Sequence, residues 1–386
     1  MLNKIVNILS VGGRIYIPAI LNLCISLIVV NWASFSLWGE YIGIVVYVNL
    51  FSQLTFWGHR EPLIRQLAKE NNEKGLWHTW LWTRTPLLFV PLFYFLAFYQ
   101  FNTTLIVIIF TVLLQYLSTS MISLIDFNKR FKIGLVGEVL PAFFVLVFLW
   151  YLKGSMTVEI LLLSYAAQLL LKVVVYLILL HDLIFPFSIR FDWRLLKEGF
   201  PFFLALLGGF LNSRIDILFL EIIDNQTNLG KYHVLVNFLI QAQVIAGVML
   251  IPKSRALYRL SNGSFKKLLT KWCGLGVLVS SFVAIILPFI SWWFYRMPLS
   301  WEFSFAFFIF IFPSFPNQVF IYWCYRRRND LRVVTMIYLG VLFQVILLGG
   351  AVFFDLELYY VFLATGCAKL LITFSYFIYF RLNGNI

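Results

Sequence analysis

Twelve runs of about twenty predominantly apolar residues follow one another along the chain, each long enough to cross the hydrocarbon core of a bilayer as a helix. They fall at 12–34, 38–57, 86–101, 104–126, 133–152, 157–180, 200–222, 230–252, 272–295, 302–325, 331–353 and 357–380. Within each run the polar positions are isolated. Between runs they cluster into short loops. The pattern predicts an all-α polytopic membrane protein with twelve transmembrane helices. The third run is short for a spanning helix and is expected to begin earlier, inside Trp80–Arg84.

Composition supports this class. The chain of 386 residues is 61% hydrophobic and only 12% charged, whereas a soluble domain is nearer half apolar and a quarter charged. The net charge of +13 is unevenly placed. Twenty-four lysines and arginines fall on one set of alternate loops, and three, Lys153, Lys231 and Arg296, fall on the other. By the positive-inside rule both termini are cytoplasmic. Basic residues spread over separate loops fit attraction to anionic headgroups, so nucleic acid is not an expected partner. The first ten residues carry one lysine and no small-residue cleavage site, which reads as a retained signal anchor. Trp32, Trp38, Trp150, Trp272, Trp292, Trp293, Trp301 and Trp323 lie near span ends, where indole rings prefer the interface. Trp77, Trp80 and Trp82 fall in the longest loop, expected to lie along the cytoplasmic surface, and Arg84 is counted among its cations. The four cysteines show no metal spacing and read as small packing residues.

The chain looks duplicated. Gly39-Glu40-Tyr41 opens the second span and Gly230-Lys231-Tyr232 opens the eighth, 191 residues later. Each of those spans ends near a proline and basic residues, at Pro62 and at Pro252. Six spans precede and six follow the midpoint. The expectation is two pseudo-symmetric six-helix lobes, 1–185 and 186–386, an arrangement transporters use to rock about a central site. No outer loop exceeds about ten residues by these spans, so an extracytoplasmic catalytic domain has no place to sit. No phosphate-binding G-x-x-x-x-G-K-[ST] run is present either, and neither ATP hydrolysis nor other enzyme chemistry is expected.

The informative positions are the charges inside the apolar runs. Lys172, Arg214, Lys369, Asp216 and Glu138 cannot all reach a surface. A charge at the bilayer centre costs about 2.5–3.5 kcal/mol on insertion scales, so such groups must face one another or water. Lys369, at the middle of its run, is the strongest pointer to a polar cavity. Arg214 and Asp216 are two apart and point to different faces, so each needs a partner on another helix. His233, Asn237 and Gln241, at i, i+4 and i+8, share one stripe whose donors and acceptors suit sugar hydroxyls. Structural pairing between helices is the competing reading for all of these. Arg14 and Arg60 are expected to flank the cytoplasmic mouth of the first lobe, either as anchors or as diphosphate contacts. Pro18, Pro141, Pro288, Pro313 and Pro316 mark expected kinks.

Ser213 to Leu218, Gly230-Lys231-Tyr232, Val234 to Gln241 and Trp38 to Gly43 resemble segments of Wzx-type O-antigen flippases, in the multidrug/oligosaccharidyl-lipid/polysaccharide (MOP) exporter superfamily. The resemblance implies two lobes around a cationic cavity lined by Arg214, Lys172 and Lys369. It implies an undecaprenyl-diphosphate-linked oligosaccharide as substrate, moved from the cytoplasmic to the periplasmic leaflet of the bacterial inner membrane. It further implies coupling to a proton or sodium gradient, no bound cofactor, and polysaccharide polymerase machinery as a partner. The alternatives are a multidrug or organic-cation exporter of the same superfamily, for which a net acidic cavity is expected, and an O-antigen polymerase-type membrane enzyme, which the short outer loops disfavour.

Overall fold

The computed structural model describes residues 2–67, 73–100, 102–223, 225–250, 261–327, 330–354 and 357–383. Among them every regular element is a helix. Two compact units divide the chain, Met1–Leu207 and Gly208–Ile386. In the first unit lie α1 (Leu2–Trp32), α2 (Phe35–Phe56), α3 (Arg60–Leu67), α4 (Glu73–Arg84), α5 (Phe89–Phe98), α6 (Thr103–Phe127), α7 (Phe131–Tyr151), α8 (Val158–Leu179) and the single turn α9 (His181–Ile184). Helix α10 (Arg194–Ile222) contains the division. The second unit continues with α11 (Gln226–Val248), α12 (Asn262–Tyr295), α13 (Trp301–Ile311), α14 (Ser314–Arg326), α15 (Asp330–Phe353) and α16 (Leu358–Asn383).

Every expected span coincides with a helix or a closely joined helix pair. Ten meet the length and hydropathy of a membrane span among the described residues, and Tyr16–Trp32 supplies a shorter one. The remaining span is α11, whose His233, Asn237, Gln241 and Gln243 dilute its apolar character. The third span begins earlier still than the expected Trp80–Arg84. It runs Gly75–Phe98, with α4 joined to α5 by one 3-10 turn over Thr85–Leu88.

That extension corrects two expectations. Trp77 and Trp80 are buried inside the first unit rather than laid along its surface. The Trp77 indole donates to the Ser120 carbonyl at 2.9 Å and the Trp80 indole to Gln66 Oε1 at 2.7 Å. Arg84 is not a loop cation. It is fully buried, with Nη1 donating to the carbonyls of Phe56 (3.1 Å) and Thr55 (3.3 Å) and Nη2 to Ser120 Oγ (2.9 Å). Those carbonyls end α2, where the helix ladder stops and the His59 N–H reaches back to Phe56, and a cation is favoured at a helix C-terminus. Glu73, Lys74, His78 and Arg84 hide this half-span from a hydropathy reading. Trp38, Trp272 and Trp323 are likewise buried in the core instead of standing at the interface, while Trp32, Trp150, Trp292, Trp293 and Trp301 are exposed.

The duplication has a local structural counterpart. Ser34 caps α2 by accepting from Leu37 N–H (3.1 Å), and Asn225 caps α11 by accepting from Asn228 N–H (3.0 Å). Each cap precedes its Gly-x-Tyr triplet by the same five positions. A short polar side chain accepting an otherwise orphaned N–H allows the chain to reverse in two or three residues.

Helices of both units turn apolar faces outward. On α7, Val136, Leu140, Phe143, Phe144 and Val147 are exposed, while Gly137, Pro141, Val145 and Leu149 on the opposite stripe are buried. Such a face is stable only against lipid. Gly137 lets α8 approach closely, since a Cβ there would lie 2.1 Å from Tyr176 Cε1. At the end of α2, Trp57 and Gly58 both adopt left-handed backbone (φ 49° and 61°), and a Cβ on Gly58 would stand 2.5 Å from the Phe203 nitrogen. The Trp57 indole donates to the Leu196 carbonyl (2.8 Å) and its ring stacks on Phe203 at 4.3 Å.

Candidate functional site

The second unit gathers its intramembrane polar groups around Asp216 on α10. This carboxylate is fully buried. Its Oδ1 accepts the backbone N–H of Ile217 at 2.9 Å. Its Oδ2 accepts the hydroxyl of Tyr232 from α11 and that of Thr365 from α16, the latter at 3.3 Å. Thr365 in turn accepts from Gln344 Nε2 on α15 at 3.1 Å. One carboxylate thereby ties four helices together. Tyr232 is held in register by stacking on Phe362 of α16, with ring centroids 4.3 Å apart.

Lys369 lies one turn beyond Thr365 on the same face of α16. Its ammonium is 3.4 Å from Gln243 Oε1 and stands 3.5 Å from the centroid of the Phe310 ring. Gln243, on α11, also donates to the Phe310 carbonyl at 2.7 Å. That carbonyl sits where one span is broken: α13 stops at Ile311 and α14 starts at Ser314, the residue whose N–H would serve Phe310 in an unbroken helix, and Pro313 between them withholds an N–H from Ile309. Gly366 permits the close approach here, because a Cβ would lie 3.0 Å from the Phe310 nitrogen. A broken helix backed by polar side chains, near the middle of its span, is a feature of transporter binding sites.

Asp216 is therefore satisfied by hydroxyls and a backbone donor. Among the described residues no carboxylate lies within ion-pairing distance of Arg214 or Lys369, and no hydrogen bond holds the Arg214 guanidinium. Arg214 is half-buried and within electrostatic reach of Asp216, Lys369 and His233. The cluster holds two cations and one carboxylate, and both cations are left with donor capacity unmet.

The stripe on α11 is partly closed on itself. Asn237 Nδ2 stands 3.2 Å from His233 Nδ1, and one turn on, the buried Oε1 of Gln241 has no partner among the described residues.

The first unit holds the other expected residues. Lys172 on α8 pairs with Glu138 on α7 at 2.6 Å, with little of either side chain exposed. The two charges cancel, so of the five intramembrane charges the uncompensated positive one resides in the second unit, with Arg214, Lys369 and Asp216. Near them Gln115 donates to Asn49 Oδ1 at 3.0 Å and accepts from the Tyr165 hydroxyl at 3.5 Å. Arg60 is partly exposed and paired with Asp126 (2.8 Å) and Glu61 (2.9 Å). Arg14 lies on α1, and its side chain falls outside the described residues.

The helix order and the two units can be compared with solved structures. Lipid II flippase MurJ, in an inward closed conformation, superposes with a TM-score of 0.71 over 97% of this chain and 87% of its own, at 14% sequence identity. The fold is similar to that of MurJ. An inward-facing multidrug resistance MATE transporter of the MOP superfamily gives a TM-score of 0.62 at 12% identity, with 97% of each chain covered. A MOP superfamily transporter from Pyrococcus furiosus, noted for a binding pocket of reverse polarity, gives 0.60 at 13% identity over 97% of this chain and 94% of that one. No family model matches the sequence, and no curated protein matches it. At 14% identity the likeness to MurJ carries the fold; the chemistry rests on the side-chain geometry.

Proposed function

We propose that the chain is a flippase that moves an undecaprenyl-diphosphate-linked oligosaccharide from the cytoplasmic to the periplasmic leaflet of a bacterial inner membrane. The carrying observation is a half-buried cation, Arg214, and a buried one, Lys369, neither ion-paired among the described residues, with Lys369 beside a broken helix. At an effective dielectric of about 20 and a separation of about 4 Å, each contact with a phosphate oxygen is worth roughly 4 kcal/mol before desolvation. A diphosphate headgroup matches two such cations. His233, Asn237 and Gln241 offer hydrogen bonds to sugar hydroxyls one face away. The lipid tail stays in the bilayer while the two six-helix lobes, helices 1–6 and 7–12, rock to give alternating access. Both termini face the cytoplasm, an ion gradient of protons or sodium drives the cycle, and the product passes to polysaccharide polymerase machinery. MurJ, which shares this fold, is itself a lipid II flippase.

The test is translocation in proteoliposomes. Lipid-linked oligosaccharide should change leaflet with wild-type protein and an imposed gradient, and should fail with Lys369→Ala or Arg214→Ala protein of unchanged thermal stability. Transport of a cationic dye in place of the lipid-linked sugar would instead favour the multidrug exporter reading.

A further inference from the structure

Between α9 and α10 the chain runs through Phe185-Pro186-Phe187-Ser188-Ile189-Arg190-Phe191-Asp192-Trp193 without helix. The alternation of apolar and polar residues has the period of an extended chain, so the two sets face opposite ways. Its polar side is fastened to α4. Ser188 Oγ stands 3.2 Å from His78 Nδ1, and the Asp192 backbone N–H donates to Thr83 Oγ1 at 2.9 Å. Asp192 also accepts the Arg194 N–H at 3.0 Å, which starts α10.

The other side is uncovered. Phe187, Ile189, Phe191 and Trp193 are each at least half exposed, with Phe187 leaning edge-on against His78 and Trp82 and Phe191 tilted 6.2 Å from the Trp82 ring. Arg190, Arg194 and Lys197 flank this row, and among the described residues no carboxylate pairs with them. The strap follows the single turn α9 after α8 and enters the start of α10, and α8 and α10 are membrane spans, so it lies where spans meet water.

We propose that this strap lies in the headgroup layer and binds anionic phospholipid. A row of aromatic side chains beside unpaired basic residues matches a surface that is apolar below and negative above. In water the same row would be an exposed apolar patch. Its fastening to α4 presents the aromatic row in one fixed direction. This inference does not depend on what the chain transports.

The test uses the full chain in nanodiscs of phosphatidylcholine with or without phosphatidylglycerol. With p-benzoylphenylalanine in place of Phe191, illumination should give a phospholipid adduct. An adduct to protein, including a second copy of the chain, or the absence of any lipid adduct, would overturn the proposal. In native mass spectrometry the wild type should retain phosphatidylglycerol over phosphatidylcholine, and R190E/R194E/K197E should lose about fivefold in that preference per residue changed. R190Q alone keeps the measurement readable if the triple variant does not fold. An unchanged lipid preference in both variants would refute the electrostatic half of the proposal.

Discussion

Tyr232→Phe removes one hydroxyl and nothing else from the Asp216 cluster. The ring keeps its stacking on Phe362, so packing is preserved and the change reads the hydrogen bond alone. Asp216 has no exposure, so no water can replace the lost donor, and the carboxylate keeps only Thr365 and the Ile217 N–H. A hydrogen bond to a charged group is worth about 1.5–3 kcal/mol. Polar contacts between membrane helices average about 0.6 and reach about 1.7 kcal/mol, because the unfolded chain in the bilayer also finds partners. Full burial of the Asp216 carboxyl places Tyr232→Phe at the upper end of the membrane range, about 1.5 kcal/mol. Thr365→Val removes the second hydroxyl, and the two share one acceptor. The double variant should therefore lose more than the sum of the singles, as expected for residues in one network. Reversible unfolding in mixed micelles measures all three. A loss below about 0.5 kcal/mol for Tyr232→Phe, or strict additivity, would refute the idea that Asp216 is held by hydroxyls.

Three further changes probe the scaffold. Arg84→Lys keeps the charge but loses the fork that joins the α2 end to Ser120; the Phe56 carbonyl keeps the His59 N–H, so leaving the Thr55 carbonyl unsatisfied should cost about 1–3 kcal/mol, read as a lowered unfolding free energy. Gly58→Ala forces a Cβ into the Phe202–Phe203 backbone at positive φ and should destabilise by at least about 1–3 kcal/mol, with unchanged unfolding arguing that the joint is loose. Lys172→Met leaves Glu138 without its partner and should cost more than the ~1 kcal/mol of an exposed pair, whereas adding Glu138→Gln should restore most of the loss; a double variant as weak as the single would contradict pairing.

Charges were legible in the sequence because each one interrupts an apolar run. Arg214, Asp216, Lys172, Glu138 and Lys369 stood out for that reason. Their partners did not. Tyr232, Thr365, Gln344 and Gln243 barely disturb hydropathy, and the Asp216–Thr365 contact joins residues 149 apart, a pairing that only helix packing decides. Phe310 is an ordinary span residue until the helix break between Ile311 and Ser314 puts its carbonyl within reach of Gln243; Pro313 was visible, the consequence of the break for a glutamine on another helix was not. Arg84, Trp77 and Trp80 were misplaced for the opposite reason. Polar neighbours made their helix look like a loop, and a guanidinium served by helix-end carbonyls carries no sequence signature. The spans themselves were readable almost throughout, since about twenty apolar residues in succession have few other uses.

The central claim is that Arg214 and Lys369 await a diphosphate. The most direct measurement is binding of undecaprenyl diphosphate to the purified chain, compared with uncharged undecaprenol. The account predicts that the diphosphate binds, that undecaprenol does not compete, and that Arg214→Ala and Lys369→Ala each weaken binding at least about tenfold, equivalent to about 1.4 kcal/mol. Equal affinity for the two lipids, or binding unchanged in both variants, would contradict it.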